Sequence, residues 1–320
     1  MQDTKVLDGK DMEVTKDTRY DNIVEFDTPA YKPRKKRFGD RKEGRRLRTL
    51  PPMNYVVPFI MRDRSDSQNY FEEIIDITNI ENYLSKKHSE GYVDMSLLHV
   101  ILAAYVRVVS ERPAINRFVA GQRIYARNNI EAVMTVKKEL SLESPDTCIK
   151  VEFDPRDNIY NVYKKFQKVV HESVENSTDF DGTMGSLAKL PRFVFRMAMA
   201  TLRWLDYHGW LPKSLLKVSP FHGSMIITSM GSLGIPAIYH HLYNFGTLPL
   251  FLSYGSIFCD EALKRDGTSE RHHFVTFRVV TDERICDGFY YASAFKKIKR
   301  YLLHPELLDE FATEVVEDIE

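Results

Sequence analysis

Between Thr281 and Phe289 the chain gathers Asp282, Glu283, Arg284 and Asp287, with Gly288 directly after. Carboxylates this close together can take up and return protons, and a glutamate can serve as a general base. Towards a thiol near pKa ~8.5, a glutamate at its ordinary ~4.3 is a weak base. Bringing it near neutrality takes about 3–4 kcal/mol from burial or like charge. Asp282 and Asp287 could supply the like charge, and Arg284 would oppose it. A second stretch is Gly223–Gly231, which carries the Thr228 hydroxyl, a group that is also ordinary at the end of a strand. His222, His240 and His241 flank it as alternative bases, and each also fits a structural or surface role. Cys148, Cys259 and Cys286 stand far apart, without the spacing of a zinc site or a disulfide framework.

These groups need a strand, a turn and a helix to hold them. Val275, Phe277 and Val279 alternate with Thr276, Arg278 and Val280, the period of a half-buried strand. Gly288 gives the backbone freedom for a sharp turn. A helix over Tyr290–Leu303 follows, with Lys296, Lys297, Lys299 and Arg300 towards its end and Pro305 just beyond. Asp266-Gly267 predicts a hairpin between Ile257–Leu263 and Phe274–Val280. Upstream, Tyr70–Ile77 reads as a strand, and Thr78 with Glu81 as the capping box of the next helix. Ser96–Ser110 is apolar on nearly every side, which predicts a buried helix with His99 as a hydrogen-bonded core histidine. Further strands are expected at Gln122–Ala126, Ile130–Lys137, Lys150–Phe153 and Leu248–Ser253. Asp157 could cap a helix over Ile159–His171.

Both stretches resemble one family. Asp282, Arg284, Asp287 and Gly288 match the D-H-R-x-x-D-G signature of the dihydrolipoyl acyltransferase cores of 2-oxo acid dehydrogenase complexes, and chloramphenicol acetyltransferase shares its H-x-x-x-D-G part. Gly223–Gly231 resembles the family's G-x-x-x-I-S-x-L-G strand, with Thr228 at the serine. Glu283 stands where the family keeps its base histidine. The resemblance spans roughly residues 50–310 and implies an α/β (α+β) two-layer fold, a mixed sheet with helices packed on one face. It also implies acyl transfer between coenzyme A and a small thiol or hydroxyl acceptor, with Thr228 at the oxyanion. Family members form trimers in which the signature loop of one copy faces the hydroxyl and coenzyme channel of the next, so a homotrimer is expected. Asp287 and Gly288 would be structural, with Asp287 paired to an arginine, either Arg62 or Arg64. Two readings stay open: an acyltransferase with an altered base, or an inactive descendant that binds a ligand or scaffolds an assembly.

Composition narrows the partners. Lysine plus arginine and aspartate plus glutamate both number 45, so bulk charge favours no nucleic acid. Residues 1–50 read as a charged arm, acidic first and then basic, ahead of an acyltransferase-like domain at 51–320. No lipoyl domain or subunit-binding segment is recognisable, which suggests a free-standing member. Residues 178–219 depart from the relatives as an insertion. There Lys189, Arg192, Arg196, Arg203 and Asp206 share one helical stripe, and Phe193, Met197 and Trp204 lie on the apolar remainder. Packing on the domain or another subunit is the plainer reading of that helix. A lid, or contact with a membrane surface through 191–207, is the alternative. No stretch is long and apolar enough to span a bilayer, and a cytoplasmic location is expected.

Overall fold

The computed structural model describes residues 35–137, 146–175, 191–263 and 267–320. Its elements, in chain order, are β1 (Gly44–Arg46), α1 (Pro52–Ile60), β2 (Gln68–Asp76), α2 (Thr78–Ser89), α3 (Leu97–Glu111), β3 (Arg117–Ala120), β4 (Arg123–Arg127) and β5 (Ile130–Lys137). There follow β6 (Asp146–Phe153), α4 (Ile159–Glu175), α5 (Arg192–His208), α6 (Lys213–Val218), β7 (Met225–Ser229), β8 (Leu250–Tyr254), β9 (Phe258–Leu263), β10 (Ser269–Asp282) and α7 (Gly288–Leu303).

The main sheet has seven strands in the order β2-β10-β8-β7-β5-β6, with β9 paired to the first half of β10. Strand β7 runs parallel to both β5 and β8, and the remaining pairs are antiparallel, so the sheet is mixed. The alternation of β10 decides its two faces. Val275, Phe277 and Val279 join the main core, which they share with α2, α3, α4 and α7. Val280 turns the other way and meets Phe251, Leu242 and Ile226. That second face is crossed by the chain after β7: Ile238 donates its N–H to the Ser253 hydroxyl, and Arg278 donates to the Ala237 carbonyl. Helix α3 is buried from His99 to Ser110, as its all-round apolar sequence requires. His99 Nδ1 accepts the Ser96 N–H at 3.0 Å and so caps the helix.

Several sequence expectations need correction. Residues 41–50 belong to the domain and not to an arm. Strand β1 pairs with β4 in a small β1-β4-β3 sheet, and Leu47 and Leu50 enter the core. Thr78 and Glu81 form no capping box. Asp76 accepts the Thr78 N–H, while Glu81 reaches across to His273. Helix α4 is capped by Asn158, whose side chain accepts from the Asn161 N–H, and Asp157 instead holds Lys165. Residues 1–34 and the start of the 178–219 insertion, Lys189 included, lie outside the described residues. The remainder of the insertion forms α5, closed at Gly209 with a left-handed φ of 74°, and then α6. Only Asp206 on α5 is buried, and Phe193, Met197 and Trp204 face outward.

Candidate functional site

The signature loop is held from both ends with Glu283 presented between. Asp282, at 0% exposure, is gripped by Arg284 through Nε at 2.8 Å and Nη2 at 2.7 Å. The Ser67 hydroxyl donates to the same carboxylate at 3.0 Å, and the Ser67 carbonyl accepts the Glu283 N–H at 2.8 Å. Arg284 Nη1 also donates to the carbonyls of Met61 and Arg62. The loop therefore cannot shift without breaking charge-assisted bonds in a dry setting. Asp287 caps α7 by accepting the Tyr290 N–H at 2.8 Å. Cys286 is buried beneath, and burial pushes its thiol up to about 12, so it is no nucleophile.

The arginine expected beside Asp287 lies elsewhere. Arg64 faces Asp282, Nε to Oδ2 at 3.9 Å, and its Nη atoms donate to the carbonyls of Tyr243, Val119 and Gly246. Arg62 contributes its carbonyl to Arg284, and among the described residues its guanidinium has no partner. The physical reason is the address of the charge: Asp282 is the sealed carboxylate needing compensation, whereas Asp287 is exposed and satisfied by a helix terminus.

The Glu283 side chain is exposed and makes no hydrogen bond or ion pair among the described residues. Thr228 lies at the far end of the sheet. It pairs with Ser253, and Ser253 with Arg278, so Glu283 is five residues further along β10. At ~3.3 Å per residue and ~4.8 Å per strand, that places the two roughly 15–20 Å apart.

What surrounds Thr228 is a cavity of about 240 Å³ on the face of the sheet that carries Val133, Ile226 and Phe251, roofed in part by Pro220 and Phe221 just after α6. Its walls are mainly apolar, with Val133, Ile226, Phe251 and Phe221 among them, and its polar groups are Thr228, Thr135, Cys148, His240 and Tyr243. The half-buried Thr228 hydroxyl has no hydrogen-bond partner among the described residues. An unpartnered hydroxyl on a mainly apolar wall can donate to a developing oxyanion. His240 stacks flat on Phe251 with centroids 4.2 Å apart, and its Nδ1 meets the His241 carbonyl at 2.8 Å. A carbonyl only accepts, so Nδ1 carries the hydrogen and Nε2 of the neutral ring keeps its lone pair.

The other two histidines do different work. His222 is buried, bound to Ser219 through Nδ1 at 2.8 Å, with Nε2 3.4 Å from Asp206; it pins α5 to the domain. His241 is exposed and packs against His240 and Tyr243. Among the described residues no group of three or more histidine, cysteine or acidic side chains is placed to hold a metal, and no helix is long and apolar enough to cross a membrane. Ser67 was invisible to sequence reasoning, because it is 215 residues from the aspartate it serves and carries no motif. Thr135, Cys148 and Tyr243 were missed likewise; only the register of β5, β6 and β7 brings the first two to Thr228.

No protein-family model matches the sequence, and no curated protein matches it. Solved structures do. A probable dihydrolipoamide acetyltransferase from Listeria monocytogenes 4b F2365 is 16% identical, with 84% of this chain and 99% of that chain covered and a TM-score of 0.50. A truncated catalytic core of the 2-oxoacid dehydrogenase multienzyme complex from Thermoplasma acidophilum is 11% identical, with 81% and 98% covered and a TM-score of 0.50. At such identities the likeness speaks for the fold. This chain is built on the α/β fold of the dihydrolipoamide acetyltransferase catalytic core.

Proposed function

We propose that this protein is a coenzyme A-dependent acyltransferase acting on a small thiol or hydroxyl acceptor, with Thr228 as oxyanion donor and Glu283 as an altered base. The observation that carries the reading is the unpartnered Thr228 hydroxyl on the wall of the 240 Å³ cavity. The acceptor's proton passes to the base, its sulfur or oxygen attacks the thioester carbonyl, and coenzyme A leaves as the thiol. The hydroxyl serves the negative charge that appears on the carbonyl oxygen. Because Thr228 and Glu283 are far apart in one copy, the base comes from a neighbouring copy, and the assembly is a homotrimer. The similarity to the core of a multienzyme complex supports such an assembly.

A second reading of the base has its own observation. His240 lines the Thr228 cavity within the same copy, with Nε2 as the free acceptor nitrogen. A neutral imidazole nitrogen is a usual acceptor for the proton of a thiol or hydroxyl. An inactive, ligand-binding scaffold is the remaining alternative.

The test is release of free thiol from a panel of short acyl-coenzyme A thioesters with thiol and alcohol acceptors. Wild-type protein turns over at least one pair, and Thr228→Val lowers kcat about a hundred-fold while Thr228→Ser retains most activity. Wild-type protein that releases no coenzyme A from any donor would overturn the enzyme reading in favour of the scaffold.

A further inference from the structure

A second cavity, about 400 Å³, opens between residues 62–64, the β3–β4 turn, the second half of α5 and residues 244–246. Four arginines line it: Arg62, Arg64, Arg203 and Arg284. The acidic groups on its wall are Asp63 and Asp206. Asp206 is committed to Arg41 at 2.9 Å and to His222 at 3.4 Å, and Asp282 behind the wall is committed to Arg284. Asp63 reaches neither Arg62 nor Arg203, and among the described residues both of those guanidiniums lack any hydrogen bond or ion pair. Arg64 is 4% exposed, and its Nε is buried without a hydrogen-bond partner. Burial draws that guanidinium down to about 10, so it remains a cation at neutral pH.

The wall is also fixed in place. Gly121 and Gln122 both take left-handed backbone, φ 55° and 58°, to make the β3–β4 turn. Tyr207 donates its hydroxyl to Gln122 at 2.7 Å, and a Cβ on Gly121 would sit 2.6 Å from the Tyr207 carbonyl oxygen. Helix α5 thus lies directly on the turn, which holds the base of Arg203 against the cavity. Arg62 and Arg203 are exposed arginines without ion-pair partners on the wall of one polar cavity, and guanidiniums so placed are suited to planar or tetrahedral oxyanions, which they take in two-pronged fashion.

We propose that this cavity binds a small molecule through its phosphate or carboxylate group, held by Arg62 and Arg203. The site is separate from the Thr228 cavity and does not depend on the acyl-transfer reading. The test uses the full chain without any acyl-coenzyme A, at constant ionic strength, with pyrophosphate in one arm and citrate in the other. Calorimetric titration and the shift in Tm are the readouts. Saturable binding of either anion is expected, and which one binds distinguishes a phosphate-bearing ligand from a polycarboxylate. The Arg62→Gln/Arg203→Gln double variant should weaken it at least ten-fold. Arg271→Gln, an exposed arginine on β10 outside the cavity, should leave it unchanged. The proposal is overturned if neither anion exceeds matched sodium chloride, if the double variant binds as wild type does, or if Arg271→Gln weakens binding equally.

Discussion

Asp282 and Arg284 flank Glu283 and clasp each other through two bonds, 2.8 and 2.7 Å long, with their side chains at 0% and 2% exposure. Glu283 is thus the outward tip of a loop whose two neighbours point inward. Removing Arg284 leaves the buried Asp282 carboxylate with only Arg64 at 3.9 Å and the Ser67 hydroxyl. Arg284→Met should cost about 3–5 kcal/mol in urea unfolding, where Ser67→Ala should cost about 1–2. Equal losses for the two variants would mean that the ion pair does not hold the loop.

The two candidate bases separate by substitution. If Glu283 is the base, Glu283→Gln cuts kcat by about 10²–10⁴ and His240→Gln leaves it nearly unchanged; the reverse pattern transfers the role to His240. A rise in KM with kcat unchanged in either variant would assign a binding role instead.

A site shared between copies permits rescue. Thr228→Val and Glu283→Gln, each inactive, should recover about a quarter of wild-type activity when co-refolded in equal amounts into a symmetric assembly. Where both residues act within one copy, the mixture stays inactive.

His99 supplies a pH dependence unrelated to catalysis. It is buried, its Nε2 has no hydrogen-bond partner, and burial holds the ring at about 4. The unfolded chain protonates this ring near ~6.5, so between 6.5 and 4 the unfolded state binds more protons. The stabilisation is complete above that window and is lost as pH falls through it, by about 3 kcal/mol. His99→Gln, which keeps an acceptor for the Ser96 N–H, should flatten this part of the stability curve relative to wild type.

How much of this was legible depends on range. The alternation of Val275, Phe277 and Val279 located β10, and the run Tyr290–Leu303 closed by Pro305 located α7, which the structure begins at Gly288, because both signals are local. The strand around Thr228 was read from the resemblance of Gly223–Gly231 to the family motif, and it is β7. Partners could not be read. Arg64 chose Asp282 over Asp287, and Glu81 chose His273 over its own helix, through packing that no spacing encodes. The Thr228 cavity draws its lining from strands and loops that only sheet order brings together.

Strand β10 runs level with Thr228 at Arg278 and ends beside Glu283, so a stiff backbone ruler separates hydroxyl from carboxylate. A thioester carbonyl cannot touch both ends of that ruler in a solitary molecule. Under the two-copy site, catalysis then inherits the assembly's own dissociation constant. Specific activity should fade on dilution and return on concentration, so that expression level, more than substrate supply, sets the output at low abundance.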